Sequence, residues 1–220
     1  MAYDLEEQEQ LATLKDFWKK YGNLITWVLI IALGAYAAYN FWNYHQRKQA
    51  AEASNLYEQQ RAAIESGDKA KVARTTSDIQ SKYDGTVYAP MAALAAAKSA
   101  FDANDLKAAK AHLQWVIDHG NDEYKSVATL RMSGVLLDEK QFDAALKLLD
   151  GDILPQFKGE VSDRKGDVLV AQNKIAEARA AYQAALDAMG QTNPGRQLVQ
   201  LKLDAIGGAP AKAAAPKAAA

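Results

Sequence analysis

The sequence contains no cysteine. That absence excludes disulfides, thiolate metal sites and cysteine nucleophiles together, while remaining compatible with a reducing or an oxidising compartment. Histidine is scarce: His45 stands beside an apolar run, His112 inside a helical stretch and His119 before Gly120, where an imidazolium suits a helix C-terminus. None belongs to an HExxH pattern, and no P-loop, G-x-G-x-x-G or G-x-S-x-G sequence occurs. Strand-like alternation is also largely missing. With a formal net charge of -1, the chain has no general basic excess to neutralise phosphates, so nucleic acid is not an expected partner. Neither a cofactor nor a metal site is expected, and an enzyme is the least expected class.

What is present is, first, an uncharged run from Tyr21 to Tyr44 in a chain otherwise 24% charged. As a helix these residues would extend roughly 36 Å, against about 30 Å of bilayer hydrocarbon. Leu24 to Ala38 is aliphatic or small apart from Thr26, Trp27 and Tyr36, and aromatic residues crowd both ends: Phe17, Trp18 and Tyr21, then Tyr39, Phe41, Trp42 and Tyr44. Such belts suit the two membrane interfaces. Two other readings exist. Ala35-Tyr36-Ala37 offers a small-x-small cleavage triplet, but the leader carries Asp4, Glu6, Glu7, Glu9 and Asp16, where an export signal is short and positive. A buried helix of a soluble domain is rarely apolar all round for this length. Residues 21–44 are therefore expected to span the lipid bilayer once. Lys15, Lys19 and Lys20 precede the span, while Arg47 and Lys48 follow it. That balance, with a short leader and a large remainder, predicts a cytoplasmic tail over 1–20 and a type II arrangement. A tethered domain on the cytoplasmic side is the competing topology. Within the span, Gly34, Ala35 and Ala38 form a small-residue face on which a second helix could pack.

Beyond the span, helical stretches are broken at Ser66-Gly67-Asp68, Asp84-Gly85, Asn104-Asp105, His119 to Asp122, Glu139-Lys140-Gln141, Gln172-Asn173-Lys174 and Gly190 to Gly195. The resulting helix pairs repeat. Ala97, Ser133 and Gly166 align in the first helix of three pairs; Leu106, Phe142 and Ile175 open the second; Ala109, Ala145 and Ala178 follow; then Leu113, Leu149 and Tyr182. Offsets of 36 and 33 residues resemble the tetratricopeptide repeat, in which small residues let paired helices approach and bulky ones fill the seam to the next pair. The expected fold is all-α: one N-terminal transmembrane helix followed by a tetratricopeptide-like right-handed α-solenoid. Its domain covers 45–206, with a degenerate pair at 50–83, repeats at 90–120, 126–157 and 161–190, and a capping helix at 197–205. Ala73 is assigned the recurring alanine position of the degenerate pair, and Leu198, Val199, Leu201 and Leu203 the capping role. Residues 207–220, rich in Ala, Pro and Lys, are expected to be a disordered tail.

Stacked pairs line a concave surface with their first helices, which is where such solenoids hold peptides or partner helices. The repeat register places Lys98, Phe101, Asp102, Leu137, Asp138 and Val170 on it.

The order of parts, "LKDFWKKYGN" leading into the span, "YNFWNYHQRKQAAEAS" leaving it and degenerate repeats behind, resembles the YfgM family, the ancillary subunit of the bacterial SecYEG translocon. The resemblance covers Leu5 to Ile206. It implies an inner-membrane protein with a periplasmic repeat domain, associated with SecYEG and with a membrane-anchored periplasmic prolyl-isomerase-like chaperone, helping newly exported, unfolded polypeptides onward. It carries over no catalytic residue. The alternative expectation is an envelope scaffold that organises a cell-wall or division complex without touching export clients.

Overall fold

The computed structural model describes residues 2–208, and side chains over 7–208. The expected tail therefore lies outside the described residues, apart from Gly207 and Gly208. Among the described residues the regular structure is helical. It comprises α1 (Ala2–Glu65), α2 (Lys69–Lys82), α3 (Tyr88–Asp102), α4 (Leu106–His119), α5 (Asp122–Asp138), α6 (Phe142–Leu149), a 3₁₀ turn (Pro155–Phe157), α7 (Lys158–Ala171), α8 (Ile175–Ala188) and α9 (Arg196–Ala205). The chain divides into two compact units, Met1–Glu52 and Ala53–Ala220, and α1 contributes residues to both.

In the first unit, α1 is the one helix among the described residues long and apolar enough to cross a membrane. Its apolar side chains are exposed, with Ile31 and Leu33 at 66%. A buried helix of a soluble domain would hide those side chains, so that reading is set aside. Two polar side chains in the run bond within the helix: Thr26 Oγ1 donates to the Gly22 carbonyl at 2.8 Å, and Asn40 Nδ2 to that of Tyr36 at 2.9 Å. Such back-bonding lowers the cost of placing these groups in an apolar medium.

The second unit is a succession of helical hairpins with one recurring turn. Asn104, Lys140 and Asn173 each adopt a positive φ, of 59°, 60° and 61°, and Gly67 does the same at 73°. At each turn the same pair of backbone bonds closes the preceding helix: Asn104 N to Phe101 O and Asp105 N to Ala100 O, Lys140 N to Leu137 O and Gln141 N to Leu136 O, and likewise at Asn173 and Gly67. This is the Schellman arrangement, which satisfies helix-end carbonyls that would otherwise lack donors. The following helix is capped at Asp68 and Asp105, whose carboxylates accept from Lys71 N and Ala108 N. The residue 65–68 turn shows that the last part of α1 and α2 form the first hairpin.

Small residues sit where the hairpins close. Ala109, Ala145 and Ala178 have no exposed surface, and Ala97, Ser133, Leu113, Leu149 and Tyr182 are all buried. Gly166 packs against Tyr182, where an added Cβ would come within 2.5 Å of Cδ1. The first hairpin keeps the turn but shifts the residue: Val72 is buried in the position expected for Ala73, which is exposed. Counting from the positive-φ residue, Val72 follows Gly67 by five, as Ala109 follows Asn104.

Apolar clusters fill the seams, two of them between the first hairpin and α3 around Val72 and Ile79, and two further along the unit. Of the latter, one joins α3, α4 and α5 through Leu94, Leu113, Val116, Met132 and Val135; the other joins α8 and α9 through Tyr182, Leu186, Met189, Val199 and Leu203. Of the four apolar residues expected to cap the repeats, Val199 and Leu203 of α9 are buried, while Leu198 and Leu201 are exposed. Gln60, fully buried, ties the first hairpin to α3 by donating from Nε2 to Thr76 Oγ1 at 2.6 Å and to the Ala92 carbonyl at 2.8 Å.

Candidate protein-binding groove

The first helices of the three repeats, α3, α5 and α7, converge on an open cavity of about 380 Å³. That volume lies within the range of sites that seat ligand groups, roughly 300–1,000 Å³. Its floor is apolar, formed by Ala97, Phe101, Leu113 and Val135. Phe101 is 40% exposed, an aromatic ring left standing at the edge of a well-packed core. Lys98, Arg131, Arg164 and Asp138 form the charged rim.

Each rim residue is placed by the packing of its helix. Lys98 and Phe101 lie three residues apart on α3, and Arg131, Gly134 and Asp138 follow one face of α5. Gly134 leaves room for Arg164 from α7, whose guanidinium carbon would sit 3.6 Å from a Cβ built there. Lys98 is paired with Asp102 at 2.5 Å, one turn along the same exposed face, and Arg164 reaches Asp167 at 3.5 Å. Arg131 and Asp138 have no ion-pair partner among the described residues.

Of the residues that the repeat register marks, Lys98, Phe101 and Asp138 are brought together here. Asp102 lines a separate recess of about 230 Å³ with Ile64, Gly67, Lys69 and Val72. Val170 packs against the cluster of Tyr182 and Leu186. Leu137 is half-buried and lines neither cavity. The register did not point to Arg131 and Arg164. A usable signal existed, because the two arginines are themselves 33 residues apart, the offset between the second and third repeats.

A polar network anchors α9 to α7 and α8. Lys202 Nζ lies 2.8 Å from both Asp163 Oδ1 and Asp167 Oδ1, and Tyr182 donates its hydroxyl to Asp167 Oδ1 at 2.8 Å. Burial raises the Asp163 carboxyl above its ordinary value, against the opposing hydrogen bond from Lys202. Burial, then the hydrogen bond to Asp167, pushes the Tyr182 hydroxyl upward as well. Arg196 adds hydrogen bonds to the carbonyls of Leu186 and Met189, and Arg179 donates to that of Ile206 at 2.6 Å. His112 lines a third recess with Asp105, and burial lowers its pKa. Among the described residues no cluster of three or more His, Asp or Glu side chains is placed to hold a metal ion.

Residues 15–208 match a family profile described as a tetratricopeptide repeat-like domain. The chain is 35% identical over 211 residues to the ancillary SecYEG translocon subunit of Neisseria gonorrhoeae, covering 94% of this chain and 100% of the relative. The protein of the same name from Haemophilus influenzae is 31% identical, with 93% and 99% covered. That of Escherichia coli is 30% identical over 184 residues, with 81% and 86% covered.

Proposed function

This chain belongs to the YfgM family of ancillary SecYEG translocon subunits, with its tetratricopeptide repeat-like domain, and we propose that it serves the translocon as a membrane-anchored, polypeptide-binding subunit. Residues 21–44 cross the bacterial inner membrane once, the N-terminus stays in the cytoplasm and the repeat unit works in the periplasm. Its groove receives newly exported, unfolded chains emerging from SecYEG and passes them to a membrane-anchored prolyl-isomerase-like chaperone.

The observation that carries this reading is the apolar lining of the cavity, in which the Phe101 ring is exposed beside the buried Leu113 and Val135, placed where the first helices of all three repeats meet. Such a floor accepts side chains that a folded protein would hide, while the charged rim remains hydrated. Tethering supplies the rest. A domain held beside the exit site meets its clients at high effective concentration, so modest affinity is sufficient for capture.

Site-specific photocrosslinking from positions 101 and 131 in intact cells tests the proposal. Translocon subunits and exported polypeptides should be recovered. Recovery of cell-wall or division enzymes without them would replace the proposal with an envelope scaffold. Protease access to the repeat unit in spheroplasts, without lysis, checks the topology.

A further inference from the structure

The charged rim of the groove is unbalanced in sign. Three cations and one carboxylate form its rim: Lys98, Arg131 and Arg164 against Asp138. The remainder gives no such bias, since apart from these four residues the chain beyond the span carries 20 basic and 21 acidic residues. Two of the cations are already engaged, Lys98 by Asp102 and Arg164 by Asp167. Asp167 is shared among Arg164, Lys202 and Tyr182, so it neutralises Arg164 only in part. Arg131 faces the cavity exposed and without an ion-pair partner among the described residues.

We infer that the preferred occupant is a polypeptide segment in which apolar side chains alternate with carboxylates. Its apolar groups sit over Phe101, Leu113 and Val135, and its acidic groups meet Arg131 and Arg164. Guanidinium groups suit this task, because their planar fork can bind a carboxylate through two parallel hydrogen bonds. A lysine-rich segment is repelled at the same positions. The chain's own residues 209–220 have Lys212 and Lys217 and no acidic side chain, so they are a poor match for the rim. This inference rests on the groove being a polypeptide site, and it adds which polypeptides enter.

The test uses the full-length protein in neutral-lipid nanodiscs and three fluorescent synthetic peptides of equal length and identical apolar residues. Their intervening positions are all Glu, all Gln or all Lys, and binding is read by anisotropy. The Glu peptide should bind about tenfold more tightly than the Lys peptide, as expected for a few exposed charge pairs. The margin should collapse near 1 M salt, where the screening length falls to about 3 Å. Arg131→Glu together with Arg164→Glu should invert the order, and Phe101→Ala should weaken the Glu and Gln peptides alike. Circular dichroism confirms that each variant is folded. Equal binding of the three peptides, still sensitive to Phe101→Ala, would overturn the charge selectivity and leave the polypeptide groove standing. No binding of any peptide, or binding indifferent to Phe101→Ala, would overturn both. Displacement of the Glu peptide by anionic phospholipid vesicles, but not by unlabelled Glu peptide, would assign the rim to a lipid surface and also sink the inference.

Discussion

Tyr182 lies so close over Gly166 that a single added carbon would meet its ring edge at 2.5 Å. The ring is buried, and its hydroxyl is held by Asp167, so it has little freedom to withdraw. Gly166→Ala gains up to about 1 kcal/mol of helix propensity but overpacks the hairpin by roughly 1–3 kcal/mol. Net destabilisation is expected in urea unfolding followed by circular dichroism. Tyr182→Leu alone should also destabilise, by leaving a void and removing one of the hydrogen bonds to Asp167. Combining the two should cost less than their sum, because the smaller side chain removes the clash. Strict additivity would show that the contact does not limit packing.

Two half-buried titrating groups oppose each other in their pH dependence. Burial lowers the His112 pKa, so its neutral form is the one the fold favours. The stability it supports is present above its ordinary value of 6.5 and is lost as pH falls through the lower, folded value. Asp163 behaves in the opposite sense. Its pKa is raised, so its contribution is complete below 3.8 and is lost as pH rises through the folded value. His112→Gln should flatten the loss of stability on acidification below 6.5. The stability difference between the unsubstituted protein and Asp163→Asn should grow toward acid. Urea midpoints across pH 4 to 7 check both signs, on the basis that linkage follows the protons bound by each state.

Lys140 occupies the left-handed turn position at φ 60°. Glycine is the usual residue there, and a β-branched residue is strained. Lys140→Gly should be neutral or stabilising by up to about 1 kcal/mol, with the gain limited by extra freedom in the unfolded chain. Lys140→Val should cost about 1–3 kcal/mol. Thermal melting of the two variants side by side decides the matter.

A Cβ at Gly34 would meet nothing within 4 Å, so larger side chains there do not disturb this chain's own packing. Leucine at Gly34, Ala35 and Ala38 together should therefore leave expression and membrane insertion intact. It should reduce co-purification with the translocon if the span packs against a partner helix. Unchanged recovery would mean that the segment acts as a tether alone.

The legible parts of this protein are those in which one residue type does one job at a fixed spacing. Ala97, Ala109, Ala145 and Ala178 could be read as buried because close helix approach admits little else. The turns at Asn104, Lys140 and Asn173 were visible as breaks, though not as copies of one conformation, since Lys140 has no obvious preference for it. The groove was half legible. Phe101 lines it while its repeat equivalents Leu137 and Val170 do not, because the residues that reach the cavity differ from one helix to the next. Alignment assumes identical orientation in every repeat. Arg164 was harder still, since its side chain reaches the cavity across Gly134, from a helix thirty residues away in sequence. The exposed Leu198 and Leu201 show the same limit at the capping helix, where composition suggests a wider apolar face than the packing uses.

The uniform turns also locate where the repeats can change length. Positive-φ residues fall at 67, 104, 140 and 173 with the same closing bonds, yet their spacing is unequal. The slack therefore lies outside the turns, above all between α6, only eight residues long, and α7, where Asp150 to Phe157 forms an irregular join. For protein engineering, that join is the natural insertion point. A graft there would re-aim the α7–α8 hairpin, and with it Arg164, while each hairpin kept its own closure.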